Sequence, residues 1–302
     1  MIKNKIEYIS DSNNFKFETD YVPNFFQTIC LKVTGKCMAN CGFCCEPNRN
    51  LTIINADSWA PLISVASRLG TKRFSLSGGE PLLYEELEEL LMQIKNLGGK
   101  TFIATADGQL FIKKIDSIHK LIDGVRFSIH GIGLEHNKIL KVKNAFYSVE
   151  KSIEICQNYK IPVFISVVMT KKVVNQLEKI TYWAGNLGVK KIYLFELLDS
   201  GFGHYERHKQ NNLSFIEILS QIDLLKSISN KFNIEINPIP NNEYYHSILF
   251  YGNGQIIVDP IPSNFPQGVI GNWKLESMDS IWENYVNMFG EMRSIKNRLS
   301  LY

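Results

Sequence analysis

Short runs rich in β-branched and aromatic residues alternate with longer helical stretches, and no other feature restricts the fold of this chain as much. The runs fall at 28–33, 73–76, 101–104, 124–129, 163–168 and 191–195. Helical patterns fill the gaps at 58–69, 84–97, 109–121, 143–159 and 174–187. Strands alternating with helices of that length build repeated βα units around a parallel sheet. Three of the helices end in Leu69-Gly70, Leu97-Gly98-Gly99 and Leu187-Gly188, where glycine supplies a left-handed C-cap residue. Six such units favour a partial barrel over a doubly wound sheet, and either architecture gathers its chemistry at the C-terminal strand ends.

Beyond Asn211 the pattern changes. A helix at 214–229 leads to a strand at 232–237, then to a hairpin with arms at 247–251 and 255–259 around Gly252-Asn253-Gly254, and a helix at 278–295 closes the chain. The expected division is an N-terminal extension at 1–24, a barrel at 25–210 and a small α+β extension at 211–302 that caps the barrel mouth. With 302 residues, 45% of them hydrophobic, the chain can bury a large core. A net charge of +3 gives no argument for nucleic acid. No apolar run reaches membrane-span length, and the polar start is not followed by a signal-peptide core, so the default is a soluble cytoplasmic protein.

Four of the six cysteines (Cys37, Cys41, Cys44 and Cys45) crowd one loop, while Cys30 and Cys156 stand alone as expected core residues. That distribution favours metal binding over disulfides. Cys37-x-x-x-Cys41-x-x-Cys44 follows the first strand and can converge on one centre without distant sequence. Three thiolates are one short of the four that close an iron–sulfur or zinc site, which leaves a coordination position open. A four-cysteine zinc site completed by Cys45 is the alternative. Adjacent side chains in an extended loop point apart, so Cys44 and Cys45 serve one metal poorly. Ser77-Gly78-Gly79-Glu80-Pro81 follows the second strand and Thr105-Ala106-Asp107-Gly108 the third. Pro81 and Glu80 also suit an ordinary helix start.

The cysteine run, with Phe43 before its last member, and Ser77-Gly78-Gly79-Glu80-Pro81-Leu82 one βα unit later resemble the radical S-adenosylmethionine (SAM) enzymes. The likeness spans about residues 25–200, and Gly271-Asn272-Trp273 through Ser280-Ile281-Trp282 is similar to the end of SPASM- or twitch-type members. It implies an α/β fold, a partial (βα)6 TIM-like barrel of the radical SAM type with a small C-terminal α+β extension. It implies that Cys37, Cys41 and Cys44 bind a [4Fe–4S] cluster whose fourth iron is chelated by SAM. In that family one electron cleaves SAM to methionine and a 5′-deoxyadenosyl radical, which abstracts a substrate hydrogen. An electron donor such as flavodoxin or ferredoxin is implied as a partner.

The resemblance also implies that Phe43 shields one cluster face, and that Ser77, Gly78, Gly79 and Glu80 hold the methionine amino group. Two glycines admit close backbone approach there. Thr105 sits where the family often has Thr-Asn-Gly, although Ala106 and Asp107 depart from that pattern. Ser128 matches a contact to the SAM ribose or carboxylate, and Ser166 is either a carboxylate contact or an ordinary sheet serine.

On the substrate side, His130 and Glu196 at strand ends are candidates to bind or deprotonate substrate, though either also reads as a hydrogen-bonded loop residue. Cys45 is a candidate hydrogen-atom donor, and Gly201-Phe202-Gly203-His204 a candidate lid. SPASM and twitch members hold auxiliary clusters through downstream cysteines, and this chain has none after Cys156. The leading expectation is a single-cluster radical SAM enzyme modifying a peptide or another natural-product precursor. A nucleotide, nucleoside or sugar is the rival substrate, which would call for Lys32, Lys171, Lys172 and Arg207 to converge at the mouth. A non-enzymatic zinc or iron–sulfur regulator is the alternative from another class.

Overall fold

The structure, a computed structural model, describes residues 25–209, 211–239, 247–259 and 268–296. The expected N-terminal extension at 1–24 lies outside the described residues. In chain order the elements are β1 (Thr28–Thr34), α1 (Ala56–Arg68), β2 (Arg73–Gly78), α2 (Leu87–Asn96), β3 (Lys100–Thr105), α3 (Gly108–Ile118), β4 (Gly124–Ser128), α4 (Leu134–Leu140), α5 (Ala145–Asn158) and β5 (Val163–Met169). They continue with α6 (Lys171–Val174), α7 (Leu177–Asn186), β6 (Lys191–Glu196), α8 (Phe202–His208), α9 (Phe215–Phe232), β7 (Glu235–Ile239), β8 (Ser247–Tyr251), β9 (Gln255–Asp259), β10 (Val269–Asn272) and α10 (Met278–Lys296).

Among the described residues, ten strands join one open sheet in the order β10-β9-β8-β1-β2-β3-β4-β5-β6-β7. The expected partial barrel is its parallel part. The sheet carries more parallel strands than the six read from the sequence. β7 pairs parallel to β6, with Lys191 beside Glu235 and Phe195 beside Ile239. The expected β8–β9 hairpin forms, and β8 returns to run parallel to β1, Cys30 beside Leu249 and Lys32 beside Tyr251. Residues beyond 211 therefore extend the sheet at both edges.

Alternation along the strands divides their two faces. Ile29, Leu31, Val33, Phe74, Leu76, Ile103, Val125, Phe127, Ile165, Val167, Ile192 and Leu194 are all buried within the apolar core. Phe127 meets Phe111 of α3 edge-on, which fixes this face as the one under the helices. Successive side chains point to opposite faces, so Cys30, Lys32, Ser75, Ser77, Arg126, Ser128, Ser166 and Tyr193 line the inner face. Hydroxyls and cations there depart from the branched apolar layers that fill a closed barrel. Cys156 is buried on α5 as expected, whereas Cys30 is half-buried on the inner face, opposite Ile29 and Leu31, and not in the core.

The three glycines predicted to cap helices do adopt positive φ: Gly70 at 110°, Gly98 at 76° and Gly188 at 68°. No helix among the described residues is long and apolar enough to cross a membrane.

Candidate active site

The loop after β1 carries the cysteines to the C-terminal edge of the sheet. It is fastened at several points: Asn40 N donates to Leu140 O at 3.0 Å, and Cys44 N to Cys41 O at 3.3 Å. Cys37 and Cys41 pack beside a small buried apolar cluster of Ala39, Leu140 and Ala145. Burial pushes the Cys41 thiol up to about 12, and the neighbouring Cys44 and Cys37 add to the rise. Burial also raises Cys37, opposed by hydrogen bonding at Ala39 and by Arg49. Among the described residues, no three His, Cys, Asp or Glu side chains stand close enough to hold a single metal ion. A cluster takes one thiolate per iron, so its cysteines are spread more widely than the ligands of one zinc.

The Gly78-Gly79-Glu80 turn lies directly against the stem of that loop. Gly79 N donates to Thr34 O at 2.6 Å and Glu80 N to Lys36 O at 2.8 Å. A Cβ on Gly79 would stand 2.5 Å from Gly35 O, and one on Gly78 would collide with Thr34 O. The close approach that demands glycine here comes from the protein's own backbone. The Glu80 side chain turns inward and is almost fully buried, accepting from Leu82 N at 3.2 Å and Ala106 N at 3.2 Å. Thr105 accepts from Asp107 N at 2.9 Å and spends its own proton on Glu80. Burial lifts the Glu80 carboxyl to about 7 against those hydrogen bonds. Glu80 and Thr105 thus brace the second and third strand ends against each other. A small cleft opens beside them, lined by Cys37, Met38, Glu80, Asp107, Leu140 and Ser148.

Ser128 and Ser166 are brought together. They sit side by side in register on β4 and β5, facing inward, with hydroxyl oxygens 3.3 Å apart. His130 is buried, and its Nδ1 accepts from Val168 N at 3.2 Å, which leaves the ring proton on Nε2. Burial, with His136 beside it, drops His130 to about 3. The Phe43 ring meets His130 edge-on, centroids 4.7 Å apart, so the aromatic residue of the cysteine loop rests on the end of β4. A neutral ring with its acceptor nitrogen engaged suits bracing better than proton abstraction. Glu196 ends β6 with Arg207 Nη1 3.9 Å from its carboxylate. Cys45 is exposed.

The segment expected as a lid is a short helix, α8, docked on the cysteine loop. Phe202 N donates to Cys44 O at 2.8 Å. Gly201, at φ 54°, lies so close that a Cβ would stand 2.5 Å from that same oxygen. Two basic residues were not singled out in the sequence, Arg49 because no motif contains it and Arg126 because only Ser128 of its strand was read as a contact. Arg126 faces inward over the Phe195 ring at 5.5 Å, and Arg49 donates to Ala39 O at 2.8 Å. Strand alternation could have flagged Arg126.

Residues 31–182 match the sequence model of the radical SAM superfamily. The chain belongs to that superfamily. Among its relatives, a protein of Saccharolobus islandicus named "Probable GTP 3',8-cyclase" is 29% identical over 210 residues, covering 67% of each chain. A protein of the same name from Sulfurisphaera tokodaii is 26% identical over 222 residues, 72% of this chain and 69% of its own. Solved structures share the fold at low identity. Streptococcus suis SuiB bound to the precursor peptide SuiA superposes with a TM-score of 0.74 at 15% identity, over 89% of this chain and 71% of SuiB. The structure of anSMEcpe with bound AdoMet and Kp18Cys peptide does so at 0.69 and 15%, over 87% and 82%.

This radical SAM protein is an enzyme, and its cofactors are a [4Fe–4S] cluster and SAM. The non-enzymatic regulator considered from the sequence falls away. The residues present fit the cofactors: three thiols on one fastened loop, beside an apolar wall and next to a polar inner face.

Proposed function

We propose that Cys37, Cys41 and Cys44 hold the cluster, and that the enzyme takes a hydrogen atom from a peptide or another natural-product precursor lying on the inner face of the sheet. The observation that carries this reading is the backbone pairing of the cysteine-loop stem with the Gly78-Gly79-Glu80 turn, through Gly79 N to Thr34 O and Glu80 N to Lys36 O. It joins the two motifs into one platform at the C-terminal strand ends. Held there by Cys37, Cys41 and Cys44, the cluster would supply the electron for reductive cleavage of SAM.

The protein's own groups would do the positioning. The exposed edge of the Gly78-Gly79 backbone would receive the SAM ammonium, because the Glu80 carboxylate is already engaged by Leu82 and Ala106. The Ser128 and Ser166 hydroxyls would hold the ribose or carboxylate, and Ser77 lies on the same inner face. Phe43 would exclude water from one side of the metal centre. Glu196, and Cys45 at the loop's outer edge, remain the candidates for substrate contact and hydrogen donation, with flavodoxin or ferredoxin as the electron source.

The rim cations support a substrate without phosphate. Arg207 is held by Glu196 and donates to Leu197 O at 2.8 Å, Lys172 lies toward Glu206, and Lys171 toward Glu217. Each of the three thus has a carboxylate of the protein beside it. A nucleotide is the second reading, favoured by the naming of the sequence relatives and by Lys32 and Arg126 sharing the inner face.

Anaerobic reconstitution tests the first statement. We expect about four irons and four sulfides per chain, a broad absorption near about 400 nm and SAM cleavage on reduction, all lost in Cys37→Ala. Bound zinc without sulfide would refute it. For the substrate, saturable GTP binding that Arg126→Met abolishes would shift the reading to the nucleotide.

A further inference from the structure

Arg49 belongs to none of the motifs above, yet its guanidinium reaches back into the middle of the cysteine loop. Nη2 donates to Ala39 O at 2.8 Å, and Nη1 is buried with no hydrogen-bond partner. Ala39 lies between Cys37 and Cys41 in the chain and packs with both. Gly35 sets this path. A Cβ there would stand 2.7 Å from Asn48 O and 2.8 Å from Arg49 O, so the returning strand of the loop crosses directly against its stem.

A buried N–H without an acceptor is costly, and more so on a charged group. The vacant edge of the guanidinium therefore marks a place where an acceptor belongs. Arginine suits such a place because its planar fork can serve two acceptors at once. The guanidinium also lies beside both neighbouring thiols and faces that of Cys37.

We propose that Arg49 is the counter-charge of the metal centre: one edge anchors the Ala39 carbonyl, and the other donates to the Cys37 sulfur and offsets the negative charge added on reduction. This rests on the reading that Cys37, Cys41 and Cys44 hold the cluster. Net charge and hydrogen bonds to the sulfurs are established levers on cluster potential. Arg49 is thus a positioning residue that keeps the centre reducible, and it touches neither SAM nor substrate.

The test compares reconstituted wild type with Arg49→Met and Arg49→Lys. Iron and sulfide are counted, the midpoint potential is read by mediated titration followed by EPR, and SAM affinity by calorimetry. At a fixed potential the reduced-to-oxidised ratio of Arg49→Met should fall about tenfold, equivalent to about 59 mV for a one-electron couple. Arg49→Lys, which keeps the charge, should recover most of that shift. If Arg49→Met loses iron, Arg49→Gln replaces it, keeping a donor for Ala39 without the charge, and the same shift is expected. An unchanged potential overturns the proposal. So does weaker SAM binding at unchanged potential, which would assign Arg49 to the cofactor, or loss of iron from all three variants, which would make it purely structural. Absence of iron and sulfide from the wild type refutes the ligand reading instead.

Discussion

The Tyr251 hydroxyl donates to Glu46 Oε2 at 2.7 Å, joining β8 to the segment just past Cys44 across 205 positions of sequence. The contact is one of a set. Trp273 Nε1 donates to Tyr251 O at 2.9 Å, and the Trp273 ring stacks on Trp59 with centroids 5.5 Å apart. Gly252 lies against Thr52 O with no room for a Cβ. Residues of the C-terminal hairpin thus hold the outgoing arm of the cysteine loop, while α8 holds Cys44 from the β6 side.

Tyr251→Phe keeps the ring and removes the bond to Glu46. Hydrogen bonds to charged groups contribute up to about 3 kcal/mol, and partial exposure reduces this one to about 1 kcal/mol. Urea denaturation of the apoprotein should show that loss. A chelator should strip iron from the reconstituted variant faster than from wild type. Equal iron-loss rates would show that the hairpin does not brace the cysteine loop.

Gly201→Ala should be more damaging. The residue sits at φ 54°, and the added methyl would meet Cys44 O at 2.5 Å and Cys45 O at 2.7 Å. Relief requires α8 to move away, which breaks the Phe202 N to Cys44 O bond. Backbone strain of this kind costs about 1–3 kcal/mol. Gly70→Ala is the control, since Gly70 also has positive φ but no atom within 4 Å of the added methyl. Both variants should lose stability, and only Gly201→Ala should lose iron.

Much of this arrangement was legible in the sequence, and its limits are physical. β1 to β6 and their helices were marked by residue type and period, because each strand buries one apolar face under a helix. α4 was not, since seven residues between Gly133 and Lys141 are too few to show a helical period. The hairpin was legible from Gly252-Asn253-Gly254, but its pairing with β1 was not, because sheet neighbours far apart in the chain leave no local mark. The cysteines and Gly78-Gly79-Glu80 stood out through their spacing. The inward turn of Glu80 and the reach of Arg49 did not, because a side chain's direction depends on backbone crossings such as Asn48 over Gly35.

The Ser128 and Ser166 pair offers a test of cofactor placement that leaves the fold intact. Each hydroxyl is small, faces the inner side and has the other as a neighbour. If both contact SAM, each alanine variant loses one hydrogen bond of about 1 kcal/mol, or about fivefold in affinity. Because the two share one site, the double variant should lose less than the product of the single effects. Calorimetric titration of SAM into reconstituted enzyme measures this. Wild-type affinity in the double variant would move the SAM site off β4 and β5.

His130 and His136 make the fold sensitive to acid. The His136 Nδ1 accepts from His130 N at 3.2 Å, its Nε2 is buried without a hydrogen-bond partner, and burial lowers His136 to about 4 and His130 to about 3. Unfolded, both imidazoles would take up a proton near the ordinary value of 6.5. The unfolded chain therefore binds more protons below that pH. The histidines' contribution is fully present above pH about 6.5 and is lost as pH falls toward the folded values, at up to about 1.4 kcal/mol per pH unit for each. His136→Phe removes one of the two titrations and also the acceptor for His130 N–H, a loss of about 1–3 kcal/mol. The variant should be the less stable protein at pH 8, and its deficit should shrink as pH falls from 6.5 to 5. Urea denaturation of both apoproteins at pH 8, 6.5 and 5 reads the difference directly, with titrations common to the two cancelling. A deficit that stays constant across that range would mean that His136 is protonated in the folded protein, against its apolar surroundings.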